Sequence, residues 1–237
     1  MWLLGGLLAL LACGVGVLTV GYPSVAATAC PTCFGLVRVE ADLYAQRGLS
    51  AEQRDRLIGL RADADQRVAD FYGGRRTTPR VLACFNTGCY QRIGGGGEKG
   101  IAVRNWAVML SPDGIDPVIA AHELSHVEFH QRLGSHAGQV PQWFDEGLAV
   151  LVAGDPRYLR PDPGSSPGAD RCLVAADGQL PGSLAGWLTA ASADRMVYAK
   201  AACRVSRWVT GHGGPPAVRD LIDRLHHGDS FATALGA

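Results

Sequence analysis

The chain carries His122-Glu123-Leu124-Ser125-His126 and, with its glutamate twenty positions after the second histidine, Trp143-Phe144-Asp145-Glu146-Gly147. On a helix, residues four apart share a face, so the two imidazoles point the same way. Glu123 stands beside the first of them. A second helix packed across the first brings Glu146 to the same place. Two neutral imidazoles and one carboxylate leave a fourth position of a zinc ion open, which is the arrangement of a catalytic rather than a structural metal.

The surroundings argue for a site. Pro117-Val118-Ile119-Ala120-Ala121 precedes the first histidine, and Val127 and Phe129 follow the second, so the segment reads as a largely buried helix. Two histidines and a glutamate on such a helix are costly unless they bind something. The metzincin variant of the motif is excluded, because it needs glycine at 129 and histidine at 132, where the chain has Phe129 and Arg132. His130 and His136 read as structural or exposed.

The pattern His122-Glu-x-x-His126 followed by Trp143-Phe144-x-Glu146-Gly147-Leu148-Ala149 resembles the gluzincin metallopeptidases, and within them the membrane-associated or secreted peptidase MA-like group. The resemblance spans residues 80–236 and is specific in the two metal helices. It implies one zinc per chain, bound by His122, His126 and Glu146, with Glu123 as general base. It also implies a tyrosine or histidine donor for the carbonyl oxygen. Tyr198 is the candidate and His212 the weaker one. Asp145 is expected to accept the other N–H of a ligand histidine. The glycine-rich exopeptidase motif of the large aminopeptidases is absent, since Gly94-Gly95-Gly96-Gly97-Glu98 does not match it. The implied substrate is a peptide or protein. The rival is a non-catalytic, membrane-tethered zinc-binding or interaction module, against which the retained base Glu123 speaks.

The chain's 237 residues, 47% of them hydrophobic, suit one domain of ordinary size plus a targeting segment. The expected fold is α+β and zincin-like. A small mixed sheet lies beside the zinc helix, a helical part makes up the C-terminal side, and a hydrophobic segment comes first. Its expected parts are an anchor or signal peptide over 1–29 and a metallopeptidase domain over 30–237, itself divided into a helical part at 34–74 and a catalytic part at 78–237. Basic and acidic side chains number 22 each, and no basic tract appears, which excludes a nucleic-acid partner. No sequence feature fixes an oligomeric state.

Residues 2–20 carry no charge and are long enough to cross a bilayer. Ala27-Thr28-Ala29 offers a small-residue cleavage site before Cys30. Either way the working domain lies outside the cytoplasm, membrane-anchored or secreted. Setting aside Cys13 within the apolar segment leaves Cys30, Cys33, Cys84, Cys89, Cys172 and Cys203, an even number that suits an exported domain with disulfides. Cys84 and Cys89 flank a turn and can close a local loop. Cys172 in a Pro/Gly-rich loop can reach Cys203, and Cys30 and Cys33 then remain, although six cysteines allow 15 connectivities. Cys30, Cys33, Cys84 and Cys89 could instead form a structural zinc site, which an oxidising compartment disfavours. The Cys30-Pro31-Thr32-Cys33 spacing also occurs in redox sites, but no thioredoxin-like strand–helix context follows it.

Along the chain, residues 34–72 read as two helices broken at Gly48, with Ser50 as N-cap of the second. Residues 79–85 read as a strand and Gly94–Gly97 as a flexible loop. Residues 105–110 read either as an ordinary core strand or, as the resemblance suggests, as an edge strand able to pair with extended substrate. The zinc helix is expected from Asp116 or Pro117 to Gly134, and the second metal helix from Pro141 to about Ala153. Small Gly147 and Ala149 let the two approach. Further helices follow at 193–210 and 215–227, and Asp229 caps a short last one.

Overall fold

The computed structural model describes residues 22–161 and 170–236. Among them, two compact units partition the chain: 22–61 with 78–116, and 62–77 with 117–236. The apolar stretch 2–20 lies outside the described residues, and no helix within them is long and apolar enough to cross a membrane.

The first unit is built on a five-stranded mixed sheet of order β1-β2-β3-β5-β4. The strands are β1 Leu36–Glu40, β2 Leu43–Gln46, β3 Arg80–Ala83, β4 Gly100–Val103 and β5 Ala107–Leu110. β1–β2 and β4–β5 pair antiparallel, while β2–β3 and β3–β5 pair parallel. Cross-strand partners share a face, so Leu36, Tyr44, Leu82, Met109, Ala107 and Val103 fall on one side. There they pack with Ala27 and Val25 of α1 (Pro23–Ala29) and with Cys89 and Tyr90 of α3 (Thr87–Arg92). Leu43, Ala45, Val81, Ala83, Val108 and Leu110 take the opposite face and are also buried.

One expectation is corrected and one open alternative decided. The part of 34–74 before Gly48 is a β-hairpin and not a helix. Leu36-Val37-Arg38-Val39-Glu40 and Leu43-Tyr44-Ala45-Gln46 alternate at a period of two, and Asp42 turns the chain at φ 56°. Only Ala51–Tyr72 (α2) is helical, and Ser50 does cap it: Gln53 N–H donates to Ser50 Oγ at 3.1 Å and Ser50 N–H to Gln53 Oε1 at 2.9 Å, a capping box. Second, β5 is no edge strand. Residues 100–103 fold back over it through Arg104 (φ 50°), so β3 and β4 occupy both of its ladders and no row of free amides is left for a peptide. The residues just before the expected boundary at 29, Pro23–Ala29, form a helix packed on the sheet. Ala27 is fully buried, and the Arg80 guanidinium donates to Thr28 O at 2.6 Å and to Ala29 O at 3.3 Å.

Gly94–Gly97 is tied down rather than loose. The Glu98 carboxylate accepts from Gly96 N–H at 2.8 Å and from Tyr90 O–H at 2.9 Å. Burial opposes its charge, but these donors outweigh burial and hold its pKa below the usual carboxylate range. A Cβ at Gly95 would stand 2.3 Å from the Tyr90 ring, so only glycine lets the loop lie on that ring.

Three disulfides join Cys30 to Cys33, Cys84 to Cys89 and Cys172 to Cys203, in keeping with an oxidising compartment. Cys84, Cys89, Cys172 and Cys203 are buried, whereas Cys33 is exposed in a short turn. Thiol exchange needs access to sulfur. Graded reduction followed by alkylation and mass spectrometry should therefore label Cys30 and Cys33 first. Simultaneous opening of either buried pair would contradict this.

The second unit is helical: α4 Pro117–Leu133, α5 Gln142–Ala153, α6 Leu184–Ala193, α7 Met196–Gly211, α8 Pro216–His226 and α9 Phe231–Leu235, with the C-terminal part of α2. α4 and α5 begin and end where proline and glycine dictate: Gly134 (φ 57°) follows α4, and Gly154 (φ 63°) is the C-cap of α5. α6 is an element the sequence reading lacks. Ser230, not Asp229, caps α9, its Oγ accepting from Thr233 N–H at 3.2 Å, while Asp229 accepts from Arg224. Gly147 faces α7 rather than α4. A Cβ there would lie 2.6 Å from the Ala201 carbonyl oxygen, so α5 and α7 touch backbone to backbone.

Candidate metal centre

α4 is buried along most of its length, and two polar stripes cross it. One is His122, His126 and His130; the other, Ser125, Glu128 and Arg132, faces elsewhere. The second stripe anchors the helix. Glu128 is fully buried and accepts from Arg76 N–H at 2.8 Å, Thr77 N–H at 3.1 Å, Thr77 Oγ1–H at 2.7 Å and Arg132 Nε–H at 2.7 Å. Arg132 also donates to Gly74 O at 2.8 Å and lies over the Tyr72 ring. The segment after α2 is thus stitched to the back of α4 by one carboxylate.

α5 enters its first turn with its free amides paired. Gln142 N–H donates to Gly182 O at 2.8 Å and Trp143 N–H to Pro181 O at 3.2 Å. Asp145 lies in that first turn, where the helix dipole favours negative charge, and Glu146 follows it. Phe144 packs under them against Phe129, Trp208 and Phe231.

The predicted donors meet where α4 and α5 cross. His126 Nε2 lies 3.1 Å from His122 Nε2; Glu146 Oε2 lies 3.4 Å from His122 Nε2 and 3.8 Å from His126 Nε2. His122, His126 and Glu146 therefore form a group able to hold a metal ion. The other glutamate oxygen, Oε1, accepts from Gln142 Nε2–H at 3.0 Å, leaving Oε2 turned to the histidines. The Asp145 carboxylate accepts from His126 Nδ1 at 2.9 Å, so the lone pair of His126 Nε2 is the one available to a cation.

The charges are coupled. Burial opposes an imidazolium at His126, but the Asp145 carboxylate, then Glu146 and Glu123, outweigh burial and raise its pKa to about 10. Burial likewise opposes the Asp145 and Glu146 charges; the histidines reverse this, and both carboxyls titrate below their ordinary range. Protons and a cation thus compete for His126 Nε2. Glu123 is half-buried and its charge acts on His126 and on Tyr198, so it belongs to the same electrostatic cluster.

Tyr198 on α7 is also part of this cluster. Its ring stacks on Tyr158 at 5.2 Å and meets Trp187 edge-on at 5.0 Å. Burial first, then the Glu146 carboxylate, pushes its phenol up to about 12. His212 is not brought to the cluster; its Nδ1 bonds Trp208 O in its own helix. His226, the last residue of α8, bonds Arg132 O at 2.8 Å and buttresses the end of α4. Gln142, Glu128 and His130 (2.7 Å from Asp145) are the functional neighbours missed by sequence reasoning. Their signal was faint: a carboxylate and a histidine continuing i, i+4 stripes on an apolar helix. The chain matches no protein-family model, no curated protein and no solved structure.

Proposed function

We propose that this protein is a zinc-dependent peptidase of gluzincin type, with a zincin-like fold, working outside the cytoplasm. The observation that carries the reading is the convergence of His122 Nε2, His126 Nε2 and Glu146 Oε2, with separations of 3.1, 3.4 and 3.8 Å. Tetrahedral zinc with donors about 2.0–2.1 Å away sets adjacent donors about 3.3 Å apart, and the three separations bracket that value. Two imidazoles with a carboxylate are also the donor chemistry of catalytic zinc. Three disulfides and the charge-free stretch 2–20 support export, with that stretch as tether or leader.

His122, His126 and Glu146 would hold the zinc, which would supply Lewis acidity toward a water and the scissile carbonyl. Glu123 takes the proton of the attacking water on its carboxylate and returns it to the nitrogen of the leaving amine. Tyr198, whose phenol titrates near 12, keeps its proton at neutral pH and donates it as a hydrogen bond to the developing oxyanion. Asp145 holds the His126 tautomer. Gln142 engages Glu146 Oε1, so the carboxylate offers one oxygen and leaves room for substrate.

The test is the metal content of the purified full-length chain, folded under oxidising conditions. About one zinc per chain, lost in Glu146→Ala, is expected. A well-folded protein that binds no zinc when supplied with it would overturn the reading in favour of an interaction module.

A further inference from the structure

We infer that His130 is a positioning residue for the metal centre: through Asp145 it fixes the orientation of His126 and so sets the affinity for the metal. The inference rests on the proposed zinc site and reaches beyond its ligands and base.

The helix geometry places His130 apart from the ligand pair. Each four-residue step along an α-helix adds about 40° beyond a full turn. From His122 to His130 the side chain has therefore swung by roughly 80°, away from the point where His122 and Glu146 meet and toward the start of α5. Asp145 stands there. Its Oδ1 lies 2.9 Å from His126 Nδ1 and its Oδ2 lies 2.7 Å from His130 Nε2. The order is therefore His126, Asp145, His130, with each carboxylate oxygen held by one ring.

The physical need is specific. The Asp145 side chain is 9% exposed, so a loose carboxylate there has little water to turn to. With only His126 as partner, Oδ2 would be buried without a donor, and rotation about the terminal torsion, which is broad for aspartate, would carry Oδ1 off the imidazole. His130 removes that freedom. Its own ring is 35% exposed, so it closes the network at the surface without adding another buried polar group. Fixing Asp145 fixes the His126 Nδ1 proton and the plane of the ring, which aims Nε2 at the place shared with His122 and Glu146. His130 is not a fourth ligand in this arrangement, because its Nε2 is spent on Asp145 Oδ2.

The experiment measures zinc affinity by competition with a chromophoric chelator, on the full-length wild-type chain, His130→Leu and His130→Gln. Thermal unfolding of each protein is followed after the metal has been stripped. Leucine fills the space but offers no N–H; the glutamine amide places an N–H near the position of Nε2. The expected result is zinc binding weakened by about 10- to 100-fold in His130→Leu, restored close to wild type in His130→Gln, with similar stripped midpoints. Unchanged affinity in His130→Leu overturns the inference. So does equal loss in both variants with a lowered stripped midpoint, which would make His130 a purely structural residue. If the wild-type chain itself binds no zinc, the metal centre falls and this inference falls with it; if it does bind and His130→Leu binds equally, only the inference is lost.

Discussion

Glu123→Gln is expected to keep its zinc and to lose hydrolysis, by about 100- to 10,000-fold in turnover, the range contributed by a positioned general base. The amide occupies the same volume as the carboxylate but takes no proton. Glu123 is not among the converging donors, which are His122, His126 and Glu146. Metal content and turnover should therefore separate in this variant, whereas Glu146→Ala should lose both. The measurement pairs zinc content with cleavage of a mixed peptide library followed by mass spectrometry. Turnover near wild type would exclude the base mechanism, and loss of zinc would make Glu123 a ligand instead.

Glu128→Ala is expected to be the most destabilising single change in the helical unit. It removes the acceptor for two backbone amides, the Thr77 hydroxyl and the Arg132 guanidinium, and Arg132 is itself 8% exposed. Removing one member of a buried ion pair costs about 3–5 kcal/mol, because the partner stays behind uncompensated. For a chain of this size that lowers the unfolding midpoint by roughly 6–20 °C. Thermal unfolding followed by circular dichroism would decide it. A drop of only a degree or two would mean that water enters and replaces the carboxylate.

The donor group was legible in the sequence because it depends on few things: helical periodicity, a proline at each helix start, and a glycine after each helix end. His122, His126 and Glu146 needed only the crossing of two such helices. The three pairings were only favoured among the fifteen open to six cysteines, since each closes a short or loop-bound stretch. The β1–β2 hairpin was not. Leu36, Val39 and Leu43 fit a helical spacing as well as Leu36, Arg38 and Tyr44 fit one face of a sheet, and short apolar runs do not separate the two periods. β5 was recognisable as a strand, but edge and interior readings stayed open, because pairing partners are set by tertiary structure. α6 was hidden by composition: Leu184-Ala185-Gly186-Trp187-Leu188 leaves both leucines exposed and buries only the tryptophan, so no apolar stripe marked it. Glu128 and His130 were hidden because polar partnerships across 15 to 52 positions leave little local trace beyond a stripe on an apolar helix.

Gly147 connects distant parts of the proposed chemistry. It follows Glu146 on α5 and lies against the Ala201 carbonyl of α7, one turn beyond Tyr198. The separation between the proposed zinc ligand and the proposed oxyanion donor is therefore gauged by a missing methyl group. Widening that gap by a single carbon would push α7 outward and carry the phenol away from the reacting carbonyl, with every charged residue of the centre left intact. The span of the proposed centre is thus written in a residue that has no side chain.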